Sequence, residues 1–136
     1  MIRGKCHCGR IEFEIRPPTK MCSHCHCESC RRTHGAAFVT WTSVDAKNFM
    51  LRKGEDQVAR YESSPGIHWE FCRHCGSPMF QTTRHSPGIV YVVVAALVDP
   101  LDRAPDAHVS FEEKVPWLTV GDALPKYREK TSDLVR

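Results

Sequence analysis

The sequence predicts a single, mainly β domain with little helix, held together by metal-binding cysteines. Its length of 136 residues is close to the commonest size of one domain. Most segments carry short alternating or β-branched patterns bounded by Gly, Pro and Ser. A hydrophobic fraction of 41% and a charged fraction of 26% exclude a disordered or membrane composition. We therefore expect one domain over residues 1–136, with a core over about 2–120 and a charged, loosely docked tail over 121–136.

Five segments carry a strand pattern. Residues 11–15 alternate apolar and charged side chains, and the Pro17-Pro18 pair ends the strand. Residues 89–94 are β-branched almost throughout, so this strand is expected at the centre of a sheet, buried on both faces. The other strands are predicted at residues 37–41, 67–71 and 79–83. Helix is expected only at residues 28–33, with a turn at 45–48.

The eight cysteines fall into three closely spaced groups. The groups are Cys6-x-Cys8, Cys22-x-x-Cys25-x-Cys27-x-x-Cys30 and Cys72-x-x-Cys75. Cysteines one or two residues apart do not easily form a disulfide, but they converge readily on a tetrahedral zinc ion. The N-terminus lacks the apolar stretch of a secretory signal, and the longest apolar run, residues 89–98, is too short for a membrane helix. We expect a cytoplasmic, reducing location, where such cysteines favour metal over disulfides.

The first and last groups predict a closed structural site. A loop that wraps two sulfurs around a metal often needs a residue that tolerates positive φ after the second ligand, and Gly9 and Gly76 stand at those positions. Four thiolates are typical of structural zinc. The expected ligands are Cys6, Cys8, Cys72 and Cys75.

The middle group predicts a different kind of site. Cys25, Cys27 and Cys30 offer three thiolates without a following glycine, and three protein ligands with one open position are typical of catalytic zinc. The alternative is a second structural zinc whose fourth ligand is Cys22 or one of the nearby histidines, His24, His26 and His34. Cys22 could equally be a free, buried thiol.

The order of these motifs closely resembles that of the glutathione-dependent formaldehyde-activating enzymes. The matching segments are Cys6-His7-Cys8-Gly9, residues 25–36 with the sequence CHCESCRRTHGA, and Phe71-Cys72-Arg73-His74-Cys75-Gly76. Residues 61–66 and 108–117, followed by Leu124-Pro125, are also similar. The resemblance covers nearly the whole domain.

The resemblance implies both a fold and a reaction. The fold is a zinc-knotted, tent-like β domain similar to methionine sulfoxide reductase B. Two zinc ions per chain are implied, one structural and one at Cys25, Cys27 and Cys30, which are the implied catalytic residues. The implied enzyme is a carbon–sulfur lyase type that joins glutathione, or a similar thiol, to formaldehyde, or a similar aldehyde, giving S-(hydroxymethyl)glutathione.

Several polar residues near the middle group are candidate substrate contacts. Arg31 and Arg32 follow the last ligand and could receive a substrate carboxylate, although they could also be a solvated pair. Ser63 and Ser64 could form a polar loop over the site, or simply an ordinary turn. His26 could be an acid or base near neutral pH, a hydrogen-bond partner behind the ligands, or simply exposed.

The net charge argues against a nucleic-acid partner. The formal charge of +3 counts every cysteine as a neutral thiol. Seven thiolates remove seven charges and two Zn²⁺ ions return four, which leaves zero. An alternative function is a zinc-dependent module that binds nucleic acid or protein, like the centromere protein V branch of the same family. A second alternative is a reductase that uses Cys22. No membrane partner is expected, and a homo-oligomer is compatible with the sequence.

Overall fold

The computed structural model describes residues 1–130, and over that range the protein is mainly β, as the sequence predicts. One α-helix, α1 (Glu28–His34), lies between the third and fourth strands. Short 3₁₀ helices span Ala46–Asn48, Glu55–Gln57, Val94–Ala96 and Phe111–Glu113. The strands are β1 (Ile2–Lys5), β2 (Glu12–Ile15), β3 (Met21–Cys25), β4 (Val39–Asp45), β5 (Phe49–Lys53), β6 (Val58–Ser64), β7 (Ile67–Cys72), β8 (Pro78–Thr83), β9 (Ile89–Val93) and β10 (His108–Val109).

These strands form two sheets. The smaller sheet is antiparallel, in the order β1-β2-β5. The larger sheet has the order β10-β3-β4-β9-β8-β7-β6 and is antiparallel except for β10, which runs parallel to β3. The strand β9 therefore lies fourth among seven, at the centre, where its β-branched sequence predicts it.

The larger sheet is covered on both faces, and β9 shows this most directly. Val92 belongs to a core shared with the smaller sheet, whereas Tyr91 and Val93 belong to a second core on the opposite face. In the first core Phe13 of β2 packs edge-on against Phe80 of β8, with 4.9 Å between the ring centroids. Burial on both faces explains the nearly continuous apolar run in β9.

The strand predictions for residues 11–15, 67–71, 79–83 and 89–94 agree with β2, β7, β8 and β9 to within one residue at each end. The predicted strand at 37–41 begins two residues later and continues to Asp45. Five strands were not predicted: β1, β3, β5, β6 and β10. The helix prediction at 28–33 and the turn at 45–48 are confirmed by α1 and the 3₁₀ helix that follows β4.

The segment after Gly121 departs from the predicted loose tail, because its backbone is hydrogen-bonded to β10. The N–H of His108 donates to the carbonyl of Pro125 at 2.9 Å, and the N–H of Tyr127 donates to the carbonyl of His108 at 2.8 Å. The N–H of Ser110 donates to the carbonyl of Glu129 at 2.9 Å. The chain is thus held beside the larger sheet as far as residue 129, while 131–136 lie outside the described residues. Within residues 1–130, no helix is long and apolar enough to cross a bilayer.

Candidate active site

The first and last cysteine groups come together as a four-sulfur cluster at the junction of the two sheets. Cys6 and Cys8 follow β1 of the smaller sheet, while Cys72 ends β7 of the larger sheet and Cys75 follows it. All four Sγ atoms lie within 4.8 Å of one another. Cys6 and Cys8 are separated by 3.6 Å between sulfurs, and Cys8 and Cys72 by 3.8 Å. Zinc bound tetrahedrally at about 2.3 Å requires sulfur separations of about 3.8 Å, so these residues fit such an ion.

The backbone around this cluster has the conformation that the glycines predict. Gly9 and Gly76 both have φ of +79°, in the left-handed region. The N–H of Gly76 donates to the carbonyl of Cys72 at 2.8 Å, which closes the turn between the two ligands. The N–H of Ile11 donates to the Cys6 sulfur at 3.3 Å. Backbone donors aimed at a sulfur stabilise it as a thiolate, the form that binds metal.

The middle group forms a three-sulfur cluster, built by a strand end, a turn and a helix start. Cys25 is the last residue of β3, Cys27 is the N-cap of α1, and Cys30 lies in its first turn. Their sulfurs lie within 4.8 Å of one another, with 3.5 Å between Cys25 and Cys30. The helix begins here because the Cys27 sulfur accepts the N–H of Cys30 at 3.3 Å, as the oxygen of an N-cap serine would.

The electrostatics of this cluster favour a cation. Hydrogen bonds from Cys25 and Cys30, and from the backbone N–H of Cys30, lower the pKa of Cys27 to about 3. The hydrogen bond to Cys27 in turn raises the pKa of Cys25 to about 12. One thiolate therefore forms readily and suppresses the ionisation of its neighbours. A cation among the three sulfurs would offset the repulsion between their thiolates, so the donor set fits a metal ion.

A tryptophan supports the same cluster. The indole Nε1–H of Trp41 donates to the Cys30 sulfur at 3.4 Å, and Trp41 is buried in the second core. Its ring packs edge-on against His34, with 5.3 Å between the centroids. A hydrogen bond to a ligand sulfur holds that ligand in place and withdraws electron density from it.

The fourth ligands considered from the sequence do not join this cluster. Cys22 is fully buried within β3, where burial raises the pKa of its thiol to about 11. Nδ1 of His24 lies 2.8 Å from the hydroxyl of Thr40, and Nδ1 of His34 lies 2.9 Å from the carbonyl of Cys30. Among residues 1–130 the cluster thus offers three sulfurs, one fewer than the four ligands that a tetrahedral ion takes. A buried thiol with a raised pKa is also a poor nucleophile, which argues against the Cys22 reductase.

The three-sulfur cluster opens into a cavity of about 330 Å³, within the usual range for small-molecule sites. All three sulfur-bearing residues line it, together with the aromatic side chains of Trp41, Trp69 and Tyr91. The remaining wall is mostly polar and comes from β6, β8, the β8–β9 loop, residues 110–113 and the C-terminal segment after Gly121. It includes Ser63, Ser64, Gln81, Thr83, His85, Ser110, Glu113 and Lys130.

The predicted serine contacts lie on the cavity wall. Ser63 and Ser64 end β6, next to the turn at Gly66, which has φ of +78°. The Ser63 hydroxyl accepts the indole N–H of Trp69 at 2.8 Å. This bond connects the polar part of the cavity wall, at Ser63, to the aromatic part, at Trp69. We refer to these two parts as the polar rim and the aromatic floor.

The predicted arginine contacts lie elsewhere. Neither Arg31 nor Arg32 is part of the cavity wall. Arg31 turns back to donate to the carbonyl of His26 at 3.2 Å, and the exposed Arg32 pairs with Glu28 one helical turn earlier at 2.8 Å. The geometry thus offers no support for a substrate contact by these arginines. Basic residues in the last turn of α1 instead complement the negative end of the helix.

His26 belongs to a buried hydrogen-bond chain behind the ligands. It is fully buried, and its Nε2 lies 2.8 Å from Nδ1 of His108. The Nε2 of His108 lies 2.9 Å from the carboxylate of Asp122. Burial lowers the pKa of His26 to about 4, so the ring is neutral at neutral pH. His26 is therefore not exposed, and its position supports the role of a hydrogen-bond partner behind the ligands.

The fold and the two clusters define the class first: a mainly β protein with two cysteine clusters, one of four sulfurs and one of three, that could each hold a metal ion. A family described as glutathione-dependent formaldehyde-activating enzyme (GFA) matches residues 1–113. The chain therefore belongs to the glutathione-dependent formaldehyde-activating enzyme family.

Individual relatives agree with this assignment. A relative from Halomonas elongata that carries the family's description in its name is 27% identical over 129 residues, covering 88% of this chain and 81% of that protein. A Schizosaccharomyces pombe protein named as an uncharacterized lyase is 26% identical, covering 89% of this chain and 93% of its own length. A crystal structure of a Rhodobacter sphaeroides protein is 26% identical, with a TM-score of 0.62, and covers 74% of this chain and 91% of that one.

Proposed function

We propose that this protein joins a small thiol to a small aldehyde at the three-sulfur cluster, with glutathione and formaldehyde as the expected pair. The observation that carries the proposal is the open fourth position of Cys25, Cys27 and Cys30 at the wall of a cavity with a polar rim. Family membership supports the choice of substrates. The names of the relatives support a lyase-type reaction.

The reaction balances without any other reagent. The sulfur of the thiol forms a bond with the carbonyl carbon, the C=O π bond breaks, and the thiol proton ends on the oxygen. The product is an S-hydroxymethyl thioether. In the opposite direction a carbon–sulfur bond is broken, which is lyase chemistry.

The proposal assigns one zinc ion to each cluster. Cys6, Cys8, Cys72 and Cys75 would hold a structural ion between the two sheets. Cys25, Cys27 and Cys30 would hold the second, and an ion bound there can keep an incoming thiol ionised at neutral pH. Because three thiolates already donate electron density to that position, we expect thiolate delivery to matter more than activation of the carbonyl.

The surrounding residues then position the substrates. Trp41 holds the Cys30 sulfur, and Trp69 holds the Ser63 hydroxyl at the rim. Ser63 and Ser64 offer hydroxyls to the polar groups of the thiol substrate. The aromatic floor displaces water from the reacting carbon, which favours the adduct over the hydrated aldehyde.

Native mass spectrometry with and without glutathione tests this proposal. We expect two zinc ions per chain and one bound glutathione, with both the second zinc and the glutathione lost in Cys27→Ser. The matched control is Cys22→Ser, which changes a cysteine outside both clusters and is expected to keep both ions. Formation of the adduct from ¹³C-formaldehyde is then followed by NMR. Two zinc ions with no bound thiol, or a rate equal to that of the uncatalysed reaction, would contradict the proposal.

A further inference from the structure

The C-terminal segment contributes to the cavity although it lies beyond the family match, which ends at residue 113. Backbone hydrogen bonds to β10 hold residues 125–129, and the last of them, from Ser110 to Glu129, immediately precedes Lys130. The carboxylate of Asp122 anchors the start of the segment to the buried ring of His108 at 2.9 Å. The backbone is thus held as far as Glu129, and Lys130, the next residue, lies on the cavity wall.

Lys130 supplies a positive charge where the cavity is otherwise anionic. Glu113 lies on the same wall, and three thiolates with one divalent ion carry a net charge of minus one. Among the described lining residues, Lys130 is the one lysine or arginine.

We propose that Lys130 is a specificity residue that binds the carboxylate of the thiol substrate, so that the site favours acidic thiols over neutral ones. This inference rests on the proposed function, and it moves to Lys130 the carboxylate contact that the sequence suggests for Arg31 and Arg32. An ammonium on a flexible stem near a reactive sulfur can pair with a carboxylate a few bonds from the thiol. The pair adds attraction in a partly desolvated cavity and draws an anionic substrate toward the cluster.

The test compares two small thiols that differ in one group, 3-mercaptopropionate and 2-mercaptoethanol. Binding to the zinc-loaded protein is measured by the fluorescence of Trp41 and Trp69, which line the cavity, and by calorimetry. In Lys130→Met we expect the affinity for 3-mercaptopropionate to fall about ten-fold, and that for 2-mercaptoethanol to stay within two-fold. Glutathione should follow 3-mercaptopropionate. In turnover, KM for glutathione should rise with kcat nearly unchanged.

Two further variants complete the design. Lys126→Met removes a lysine from the same segment that is not part of the cavity wall and packs over Phe111 at 5.7 Å, and it should bind both thiols like the wild type. Lys130→Arg keeps the charge and should restore most of the preference. Retention of both zinc ions in each variant shows that the sites remain intact.

The outcomes separate the two proposals. If the wild type binds both thiols and Lys130→Met loses affinity for both equally, or for neither, the carboxylate contact is wrong while the proposed function stands. If Lys126→Met has the same effect as Lys130→Met, the effect comes from the overall positive charge of the segment. The proposed contact between Lys130 and the carboxylate is then also wrong. If the wild type binds no thiol, the proposed function fails and the inference fails with it.

Discussion

Alanine at Gly76 should weaken the four-sulfur cluster by a predictable amount. Gly76 has φ of +79°, and a Cβ added there would meet no atom within 4 Å. Steric collision is therefore absent, and the cost is backbone strain alone. A non-glycine residue in the left-handed region costs about 1–2 kcal/mol. The smaller entropy of an unfolded chain with alanine returns about 0.4–1 kcal/mol. We expect a net loss of about 1 kcal/mol in the free energy of unfolding.

Gly88 provides the matched control. It has φ of +76°, and a Cβ there would likewise meet nothing within 4 Å, but it lies in the β8–β9 loop and is not part of the four-sulfur cluster. Gly88→Ala should therefore also lower the free energy of unfolding by about 1 kcal/mol. Only Gly76→Ala should release zinc faster, by about five-fold, because its strain is relieved when the turn opens and the ligands separate.

The assay measures stability and metal release separately. Urea unfolding at a fixed zinc concentration gives the free energies of unfolding. A chromogenic chelator gives the rate at which zinc leaves the four-sulfur cluster. The thermal midpoint should fall by roughly 3–5 °C in both variants. Equal acceleration of zinc release in Gly76→Ala and Gly88→Ala would refute the link between the glycine turn and the cluster. Wild-type stability in Gly76→Ala would refute the strain argument itself.

Three further changes have distinct expected outcomes. Cys22→Ala removes one buried sulfur, so it should cost about 1 kcal/mol in urea unfolding while native mass spectrometry still finds both zinc ions. Burial raises the pKa of Asp102, but hydrogen bonds from Thr19 outweigh this effect and lower it overall. The unfolded state therefore binds a proton at Asp102 more readily than the folded state does. The ionised Asp102 thus stabilises the fold above about pH 4, and this contribution is lost as the pH falls further. Asp102→Asn should thus be less stable than the wild type at pH 7, by under about 1 kcal/mol after screening, with the gap closing as urea titrations move below pH 4. Trp41→Phe keeps an aromatic ring but loses the N–H donor to Cys30, so time-resolved native mass spectrometry should find a few-fold faster loss of one of the two zinc ions.

The four-sulfur cluster was predictable because its information is local. The spacing of each cysteine pair and the glycine after it fix a turn that can hold a metal, whatever the surrounding fold. The φ values of Gly9 and Gly76 confirm that part of the reasoning. The central position of β9 was predictable for a similar reason, since a strand buried on both faces needs no alternation.

Cys22 stayed a candidate ligand because the sequence pattern did not predict the strand β3, in which it lies. Met21 to Cys25 lacks an alternating pattern because most of its side chains are buried on both faces. Side chains three positions apart on a strand point to opposite faces, so Cys22 and Cys25 cannot bind one metal together. Knowledge that β3 is a strand would have removed Cys22 from the candidate ligands.

Apart from Ser63 and Ser64, the polar wall of the cavity was not predicted from the sequence, since it is assembled by long-range pairing. Ser63 reaches the cluster because β6 and β7 form a hairpin at the edge of the larger sheet, and Trp69 then binds its hydroxyl. Lys130 reaches it because the backbone after Asp122 pairs with β10, itself only two residues long. His108 was noted within the family-like segment, but its bond to Asp122 gave no signal in the sequence.

The two clusters use the same ligand chemistry for different purposes, and their positions explain the difference. The four-sulfur cluster joins the end of β1 to the end of β7, so its ion would connect two sheets that also share a hydrophobic core. The three-sulfur cluster draws its ligands from one continuous stretch, Cys25 to Cys30, so its ion would connect little that the chain does not already connect. An ion that contributes little to the fold can exchange a ligand at low cost in stability. That property suits a cluster that lines a cavity, as the three-sulfur cluster does together with Lys130.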